Sequence, residues 1–212
     1  GIPVEIVGTV RDITERKQAE EALRHSEERL KMMLQGTRAG TWEWFVQSGE
    51  THFNERWAEI IGYTLDELAP ISIQTWLDAA HPDDLKYSGE LLEKHFAGET
   101  AYYDCEARMK HKNGHWVWVW DRGMVLEWTK EGKPLRMLGT HVDITERKQA
   151  EEAMRQSEER LRILFDTSPD TICLIRLDGT VTDINAAGLE LMDRSREQLI
   201  GKNVPELNLF DK

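Results

Sequence analysis

The seven histidines and two cysteines carry most of this chain's capacity for metal binding or nucleophilic chemistry. His111 and His115 flank an Asn-Gly pair and His81 precedes a proline, but no Cys or carboxylate completes a set with metal-ligand spacing. Cys105 and Cys173 show no motif spacing, which favours a reducing, cytosolic setting. The pattern therefore predicts no metal site.

One histidine has neighbours that could support phosphoryl transfer. In RHSEERL (24–30), a His is followed by acidic residues within a helical pattern. A second copy of this stretch, RQSEERL (155–161), has Gln156 in place of the His, so the helix does not depend on it. The sequence also contains no Gly-rich nucleotide loop or Walker motif. We therefore predict no catalytic residues and no enzyme activity in this chain.

Composition narrows the class of protein further. The 212 residues are 40% hydrophobic and 31% charged, which is typical of a folded, soluble protein of one or two domains. A net charge of −12 argues against a nucleic-acid surface, which would need clustered Lys and Arg. No apolar run approaches the roughly 20 residues that span a bilayer. We expect a cytoplasmic location, although a longer protein could be anchored elsewhere.

An internal repeat organises the chain. The stretch DITERKQAEEA occurs at residues 12–22 and again, unchanged, at residues 143–153. A shift of residues 1–34 by 131 positions gives 21 identities, and the match continues more faintly beyond them. All eight Trp lie between Trp42 and Trp128. The chain thus holds one complete unit flanked by parts of two others.

Each copied stretch predicts a helix that begins at the Asp-Ile-Thr motif, where Asp and Thr are good N-caps and the following residues are helix formers. Both helices carry an apolar seam with the 4, 3 spacing of a coiled coil. In the first copy the seam is Ala19, Leu23, Ser26, Leu30 and Met33; in the second it is Ala150, Met154, Ser157, Leu161 and Leu164. The spacing favours a parallel two-stranded coiled coil over a solvated helix.

The complete unit alternates between strand and helix patterns. It predicts a hairpin over residues 41–54, helices over 55–63, 65–68, 73–80 and 83–96, and strands over 101–112, 116–128 and 134–144. Asn113-Gly114 is a strong two-residue hairpin signal. Residues Tyr103, Cys105, Ala107 and Met109 form the apolar face of one strand, which should face the helices. The order predicts an α/β (α+β) fold, with one sheet covered by helices.

Six stretches within this unit resemble the PAS domain with its C-terminal PAC segment, a family of bacterial and archaeal sensory proteins. They are GTWEW (40–44), FNERWAEIIGY (53–63), HPDD (81–84), EARMKHKNGHWVW (106–118), DRG (121–123) and EGKPLRMLGTHVDIT (131–145). The resemblance implies a five-stranded antiparallel sheet, helices on one face, flanking coiled-coil linkers and a parallel homodimer. It further implies a tandem PAS region of a sensor histidine kinase or diguanylate cyclase, with the output enzyme outside this chain.

The resemblance also implies domain boundaries and a relay. We expect a closing strand of a preceding unit at 1–14, a linker helix at 15–35, a complete PAS domain at 36–145, a second linker at 146–165 and the first part of another PAS domain at 166–212. A distortion of the last strand would shift the linker helix through the repeated Asp-Ile-Thr motif. The predicted relay residues are Asp12, Ile13, Thr14, Asp143, Ile144 and Thr145.

A PAS pocket would lie between sheet and helices. The candidate lining residues are Trp44, Trp57, Ile60, Ile61, Trp76, Leu91, Tyr103, Cys105 and Trp118. The identity of any ligand stays open: a packed interior without a cofactor is favoured, and a flavin or small metabolite is possible. The photosensing subclass needs an Asn-Cys-Arg-Phe context that neither Cys has. Haem is disfavoured because the position of its His ligand holds Tyr87, and we expect His95 to be exposed or to cap its helix.

Two functions therefore compete. The chain is either a sensory module that relays a ligand-bound or conformational state, or a ligand-free dimerisation and spacer module. A cavity of about 300 Å³ or more with convergent polar groups would favour the sensor, whereas a solid interior would favour the spacer.

Overall fold

The computed structural model describes residues 14–207. The predicted closing strand at 1–14, with Asp12 and Ile13, lies outside the described residues apart from Thr14. The side chains of Ala19, Leu30 and Met33 lie outside the described set as well, so their part in the first seam stays a prediction. The described residues divide into two compact units, one ending at Thr145 and the other beginning at Glu146.

The first unit opens with a long helix and continues into a sheet and four further helices. Its elements are α1 (Thr14–Thr37), β1 (Gly40–Phe45), β2 (Thr51–Phe53), α2 (Glu55–Ile60), α3 (Leu65–Leu68), α4 (Ile73–Ala79), α5 (Pro82–Phe96), β3 (Tyr103–Lys110), β4 (Trp116–Trp128) and β5 (Pro134–Asp143). The five strands form one antiparallel sheet in the order β2-β1-β5-β4-β3. The predicted five-stranded antiparallel sheet is confirmed.

Local sequence sets the ends of these elements. The Asn54 side chain accepts a hydrogen bond from the Trp57 backbone N–H and begins α2, and Thr64 and Ser72 cap α3 and α4 in the same way. Gly114 adopts φ = +90° in the turn between β3 and β4, which a residue with a Cβ rarely does. The short helices and the hairpin were therefore predictable from capping and turn residues.

The two faces of the sheet differ in what covers them. On β3, Tyr103, Cys105, Ala107 and Met109 are buried, and α5 packs against this strand. On the opposite face, Lys110 lies over the ring of Trp116, which stands opposite it on β4. The predicted apolar face of β3 is confirmed, and the outer face carries half-exposed indoles under basic side chains.

The second unit contains a long helix and a small mixed segment. Its elements are α6 (Thr145–Thr167), β6 (Cys173–Ile175), β7 (Val181–Ile184), α7 (Ala186–Met192), α8 (Arg196–Leu199) and a 3₁₀ turn (Val204–Leu207). The strands β6 and β7 pair in antiparallel fashion. Its core consists of Val181, Ile184, Leu199 and Leu207.

Candidate functional site: an aromatic cavity and the strand-to-helix junction

A cavity of about 360 Å³ lies within the first unit. Its walls are almost entirely aromatic and aliphatic, with a few polar side chains among them. The lining residues are Trp42, Trp44, Thr51, Phe53, Trp57, Ile73, Trp76, Leu77, Leu85, Ser88, Gly89, Leu92, Tyr103, Asp121 and His141. The volume falls in the range of small-molecule sites in proteins. The favoured expectation of a fully packed interior was therefore wrong.

Two glycines let the Trp42 ring approach the sheet closely. A Cβ on Gly139 would come within 2.2 Å of the Trp42 ring, and a Cβ on Gly123 within 2.4 Å. The two glycines face each other across β4 and β5, so the Trp42 ring lies directly against the sheet backbone.

Four of the nine predicted pocket residues line this cavity: Trp44, Trp57, Trp76 and Tyr103. Ile60, Ile61 and Cys105 are buried in the surrounding core without lining it, and Leu91 packs against that core. Hydrophobicity alone identified these core residues and could not separate a cavity wall from the layer behind it.

The prediction that Trp118 lines the pocket was wrong. Val117, Val119 and Asp121 form the buried face of β4, and the alternation of a strand sends Trp118 to the other face. There the guanidinium of Arg108 lies 5.3 Å from the Trp118 ring centroid. Both faces of β4 read as apolar in sequence, so the alternation alone did not say which one faces the helices.

A buried polar cluster closes one wall of the cavity. The Trp42 indole Nε1–H donates to Asp121 Oδ1 at 2.8 Å, and His141 Nε2 lies 3.0 Å from the same oxygen. Asp121 and His141 are 4% and 2% exposed, and they stand opposite each other on β4 and β5. A buried carboxylate requires partners of this kind, because its desolvation is otherwise very costly.

Sequence reasoning missed Asp121 and His141, although a signal was present. Asp121 continues the alternation of Val117 and Val119, and His141 continues that of Met137 and Gly139. A polar residue on the apolar side of a strand marks either a break in the pattern or a buried polar site. Here it marks a buried polar site.

Two further groups of the cavity region have shifted acidities. The Tyr103 hydroxyl and the Ser88 hydroxyl are 2.8 Å apart, and burial, reinforced by the nearby Asp121 charge, raises the pKa of Tyr103 well above its usual value. Burial likewise raises the pKa of the Cys105 thiol to about 12. Both groups are therefore neutral at physiological pH, and Cys105 has no thiolate character.

Three buried nitrogens in the cavity walls have no hydrogen-bond partner among the described residues: Nε1 of Trp44, Nε1 of Trp57 and Nδ1 of His141. A buried donor or acceptor left unpaired costs on the order of 1–3 kcal/mol. Most buried polar groups in proteins are paired, so three such atoms around one cavity are unusual.

Two positions on the long helix α5, Tyr87 and His95, bear on haem binding. Tyr87 is 54% exposed and does not line the cavity. His95, expected at the surface, is buried instead: its Nδ1 lies 2.9 Å from the Thr100 carbonyl oxygen, and its Nε2 accepts the backbone N–H of Val125 at 3.1 Å. The expectation for His95 was wrong because a loop and β4 close over the helix end. Among the described residues, no three His, Cys, Asp or Glu side chains are grouped to hold a metal.

The Asp-Ile-Thr motif joins β5 to α6 through a specific set of hydrogen bonds. The Thr145 backbone N–H donates to Asp143 Oδ1 at 2.9 Å. The backbone of Trp118 makes two hydrogen bonds to the motif. Its N–H donates to Thr145 Oγ1 at 3.0 Å, and its carbonyl oxygen accepts the Ile144 N–H at 2.9 Å. The motif therefore holds Ile144 and Thr145, at the end of the first unit, against the neighbouring strand β4.

No helix within residues 14–207 combines the length and the apolar character that a membrane crossing requires.

Known proteins with related sequences identify the class. Family models described as PAS fold match residues 50–141 and residues 159–212. A crystal structure of a sensory box histidine kinase/response regulator from Burkholderia thailandensis is 33% identical, with a TM-score of 0.56. The match covers 63% of this chain and 98% of that one. This is a sensory module of the kind found in signalling proteins, and the chain belongs to the PAS family.

Longer relatives place such modules in signalling proteins. The two-component sensor PprA of Pseudomonas aeruginosa is 26% identical over 97% of this chain, and the probable diguanylate cyclase DgcE of Escherichia coli is 25% identical over 99% of it. The chain spans 22% and 18% of these two relatives. It is thus homologous to sensory segments of much larger proteins.

Proposed function

We propose that this chain is a ligand-responsive relay segment, in which the cavity of the first unit controls α6 through the Asp143-Ile144-Thr145 junction. The observation that carries the proposal is the continuity of β5. His141 lines the cavity, and two residues later Asp143 accepts the hydrogen bond of the first residue of α6. Ligand binding that shifts His141 would therefore act on the same strand that holds the helix.

The domain organisation proposed from sequence agrees with this role. Linker helices at 15–35 and 146–165 would flank the complete domain at 36–145, with a second PAS segment at 166–212. The output would be a histidine kinase or diguanylate cyclase activity in a longer protein, as the similarity to PprA and DgcE suggests. Two free cysteines support a reducing, cytoplasmic setting.

The linker helices are proposed to pair in a parallel homodimer. In α6, Met154, Leu161 and Leu164 are each more than 60% exposed, although they share one helical seam. In α1, Leu23 is 61% exposed. The exposed apolar seam of α6, together with the exposed Leu23 on α1, supports pairing with a second copy.

The spacer alternative is less well supported. A spacer needs a solid interior, whereas this unit contains a cavity of about 360 Å³ with Asp121 and His141 paired in its wall. Native mass spectrometry of the 212-residue chain separates the possibilities. A dimer with a dissociable small molecule supports the sensor, a bare dimer supports the spacer, and a monomer contradicts the proposed coiled coil.

The relay can be tested in a chimera that places this chain before a kinase output. Asp143→Ala removes the acceptor for the Thr145 N–H, so we expect the ligand-dependent change in phosphorylation to fall severalfold. Asp178→Ala is the matched control, because Asp178 Oδ1 accepts the Thr180 N–H at the same 2.9 Å, in a turn outside the junction. Equal effects of the two substitutions would contradict the relay.

A further inference from the structure

We propose that the cavity recognises a neutral, mostly apolar small molecule through a hydrogen-bond acceptor, with the indole N–H groups of Trp44 and Trp57 as its donors. This inference rests on the proposed sensory function of the cavity and specifies the chemistry of its ligand.

The charges of the cavity wall disfavour an anionic ligand. No Lys or Arg is among the lining residues, and Asp121 contributes a buried carboxylate. An anion would be transferred out of water beside a like charge, with only His141 available to compensate it.

The contact between Asp121 and His141 also disfavours a cationic ligand. Asp121 Oδ1 already accepts the Trp42 indole N–H and lies 3.0 Å from His141 Nε2. A cation would have to share this carboxylate with His141 or displace the ring. The neutral forms of Tyr103 and Cys105 add no further charge to the region.

The unpaired nitrogens specify the polar part of the ligand. An indole nitrogen can only donate a hydrogen bond, so Trp44 and Trp57 each require an acceptor that the described residues do not supply. Apart from the polar side chains of Thr51, Ser88, Tyr103, Asp121 and His141, the rest of the wall is aromatic or aliphatic. An apolar body that carries a carbonyl or a ring nitrogen matches both requirements.

Binding by this route must move a side chain. The three unpaired nitrogens are covered by neighbouring atoms, so an acceptor reaches Trp44 or Trp57 only when a ring turns or a neighbour gives way. The Trp57 and His141 ring centroids are 5.6 Å apart, so a shift of this indole acts directly on the imidazole. Because His141 lies on β5, the contact between Trp57 and His141 would serve both ligand recognition and the relay to α6.

Four probes with one phenyl ring and different substituents test the inference on the 212-residue chain. They are acetophenone (neutral, with an acceptor), ethylbenzene (neutral, without one), benzoate (anionic) and benzyltrimethylammonium (cationic). In ligand-detected NMR titrations we expect acetophenone to bind about tenfold more tightly than ethylbenzene, the factor for one net hydrogen bond, and more tightly than both ions.

Variants assign the donor. Trp44→Phe and Trp57→Phe each keep an aromatic ring and remove one of the two N–H groups. Acetophenone should lose most of its advantage in the double variant and part of it in a single one, while ethylbenzene binding stays unchanged; an advantage that survives the double variant would contradict the inference. Trp118→Phe is the matched control on the opposite face of the sheet, and neither affinity should change.

Each other outcome overturns the inference. Equal affinities for acetophenone and ethylbenzene would show that no acceptor is recognised, and tighter binding of either ion would show that the site is selective for charge. Failure of all four probes to bind would also reject it. The proposed relay can survive any of these results, because the Asp143→Ala test measures coupling with whatever signal activates the chimera.

Discussion

Asn54 in the first unit and Asn185 in the second stand 131 residues apart, at matching places in the repeat, and their side chains make matching hydrogen bonds. Asn54 Oδ1 accepts the backbone N–H groups of Thr41 and Trp57, and its Nδ2 donates to the Ala39 carbonyl. These three contacts fasten the strand, the helix start and the incoming chain together.

In the second unit, Asn185 Oδ1 accepts the N–H groups of Ile172 and Gly188, and its Nδ2 donates to the Asp170 carbonyl. Each partner is again 131 residues beyond its counterpart. The polar frame of the two units is therefore the same, although their sequences have diverged.

The interiors of the two units differ at one pair of matching positions, where the small residue and the larger residue have changed places. Gly40 leaves room for Trp57, since a Cβ on Gly40 would lie 2.7 Å from the Trp57 Cα. The matching positions hold Thr171 and Gly188, the reverse order of small and large. The comparison teaches that backbone hydrogen bonds preserve the shared frame, while pairs of contacting residues decide whether an aromatic cavity forms.

Gly40→Thr should have the largest effect, because it puts the residue of the second unit into the first. The new side chain meets the Trp57 backbone, which cannot move aside, so we expect the first unit to lose about 3 kcal/mol of unfolding free energy. Thr171→Gly is the reciprocal control, at an exposed position, and should cost less than about 1 kcal/mol. Hydrogen exchange followed by mass spectrometry measures each unit separately. A small effect of Gly40→Thr would mean that α2 is not held against β1 as described.

Asn54→Ala and Asn185→Ala test the shared frame. Each removes a helix cap and leaves backbone N–H groups unpaired, so we expect a loss of about 2 kcal/mol in each case. The loss should be confined to the unit that carries the substitution, as local hydrogen exchange would show. Equal destabilisation of both units by either variant would contradict their description as separate compact units.

Asp84→Asn tests whether acid destabilises the first unit, but not the second, through the loss of the Asp84 charge. Burial raises the pKa of Asp84, but hydrogen bonds from the Arg108 guanidinium and backbone N–H outweigh this and hold it below its usual value. A lowered carboxyl pKa contributes stability above the unfolded-state value of about 3.9, which is lost as pH falls through the folded-state value. We expect Asp84→Asn to cost about 1.5 kcal/mol at pH 7 and to flatten the decline of the first unit below pH 4.

Asp178→Asn is the control for this acid response. Asp178 is fully exposed in the second unit, and hydrogen bonds with Thr180 also lower its pKa. Denaturant titrations between pH 7 and pH 2.5 should show an unchanged profile for the first unit in this variant. If the first unit of the Asp84→Asn variant lost as much unfolding free energy below pH 4 as the wild type does, groups other than Asp84 would cause the acid sensitivity.

Asp193→Gly should have the smallest effect. Asp193 has φ = +52° at the end of α7, where the first unit has Gly62 with φ = +79°. Glycine relieves the left-handed strain but gains freedom in the unfolded chain, so the unfolding free energy should change by less than about 0.5 kcal/mol. The reverse change, Gly62→Asp, should cost more, because a Cβ there would lie 2.4 Å from the His111 ring. Thermal unfolding compares the two, and an equal cost would contradict the tight packing of His111.

Much of the fold could be predicted from the sequence because its causes are local. Asn54, Thr64 and Ser72 begin helices through their own side chains, and Asn113-Gly114 closes a hairpin through its backbone preference. The alternation on β3 gave its buried face, because only one of its two faces is apolar. These features need no information about distant residues.

The cavity depended on contacts between residues far apart in the sequence. Asp121 and His141 meet only because β4 and β5 pair in one register, and Trp42 comes this close to the sheet only because Gly123 and Gly139 meet beside it. The sequence by itself determined the repeat, the helix starts and the family. Tertiary structure decided which face of β4 holds the cavity, since Trp118 and Val119 are both apolar and only strand pairing and helix packing distinguish their sides.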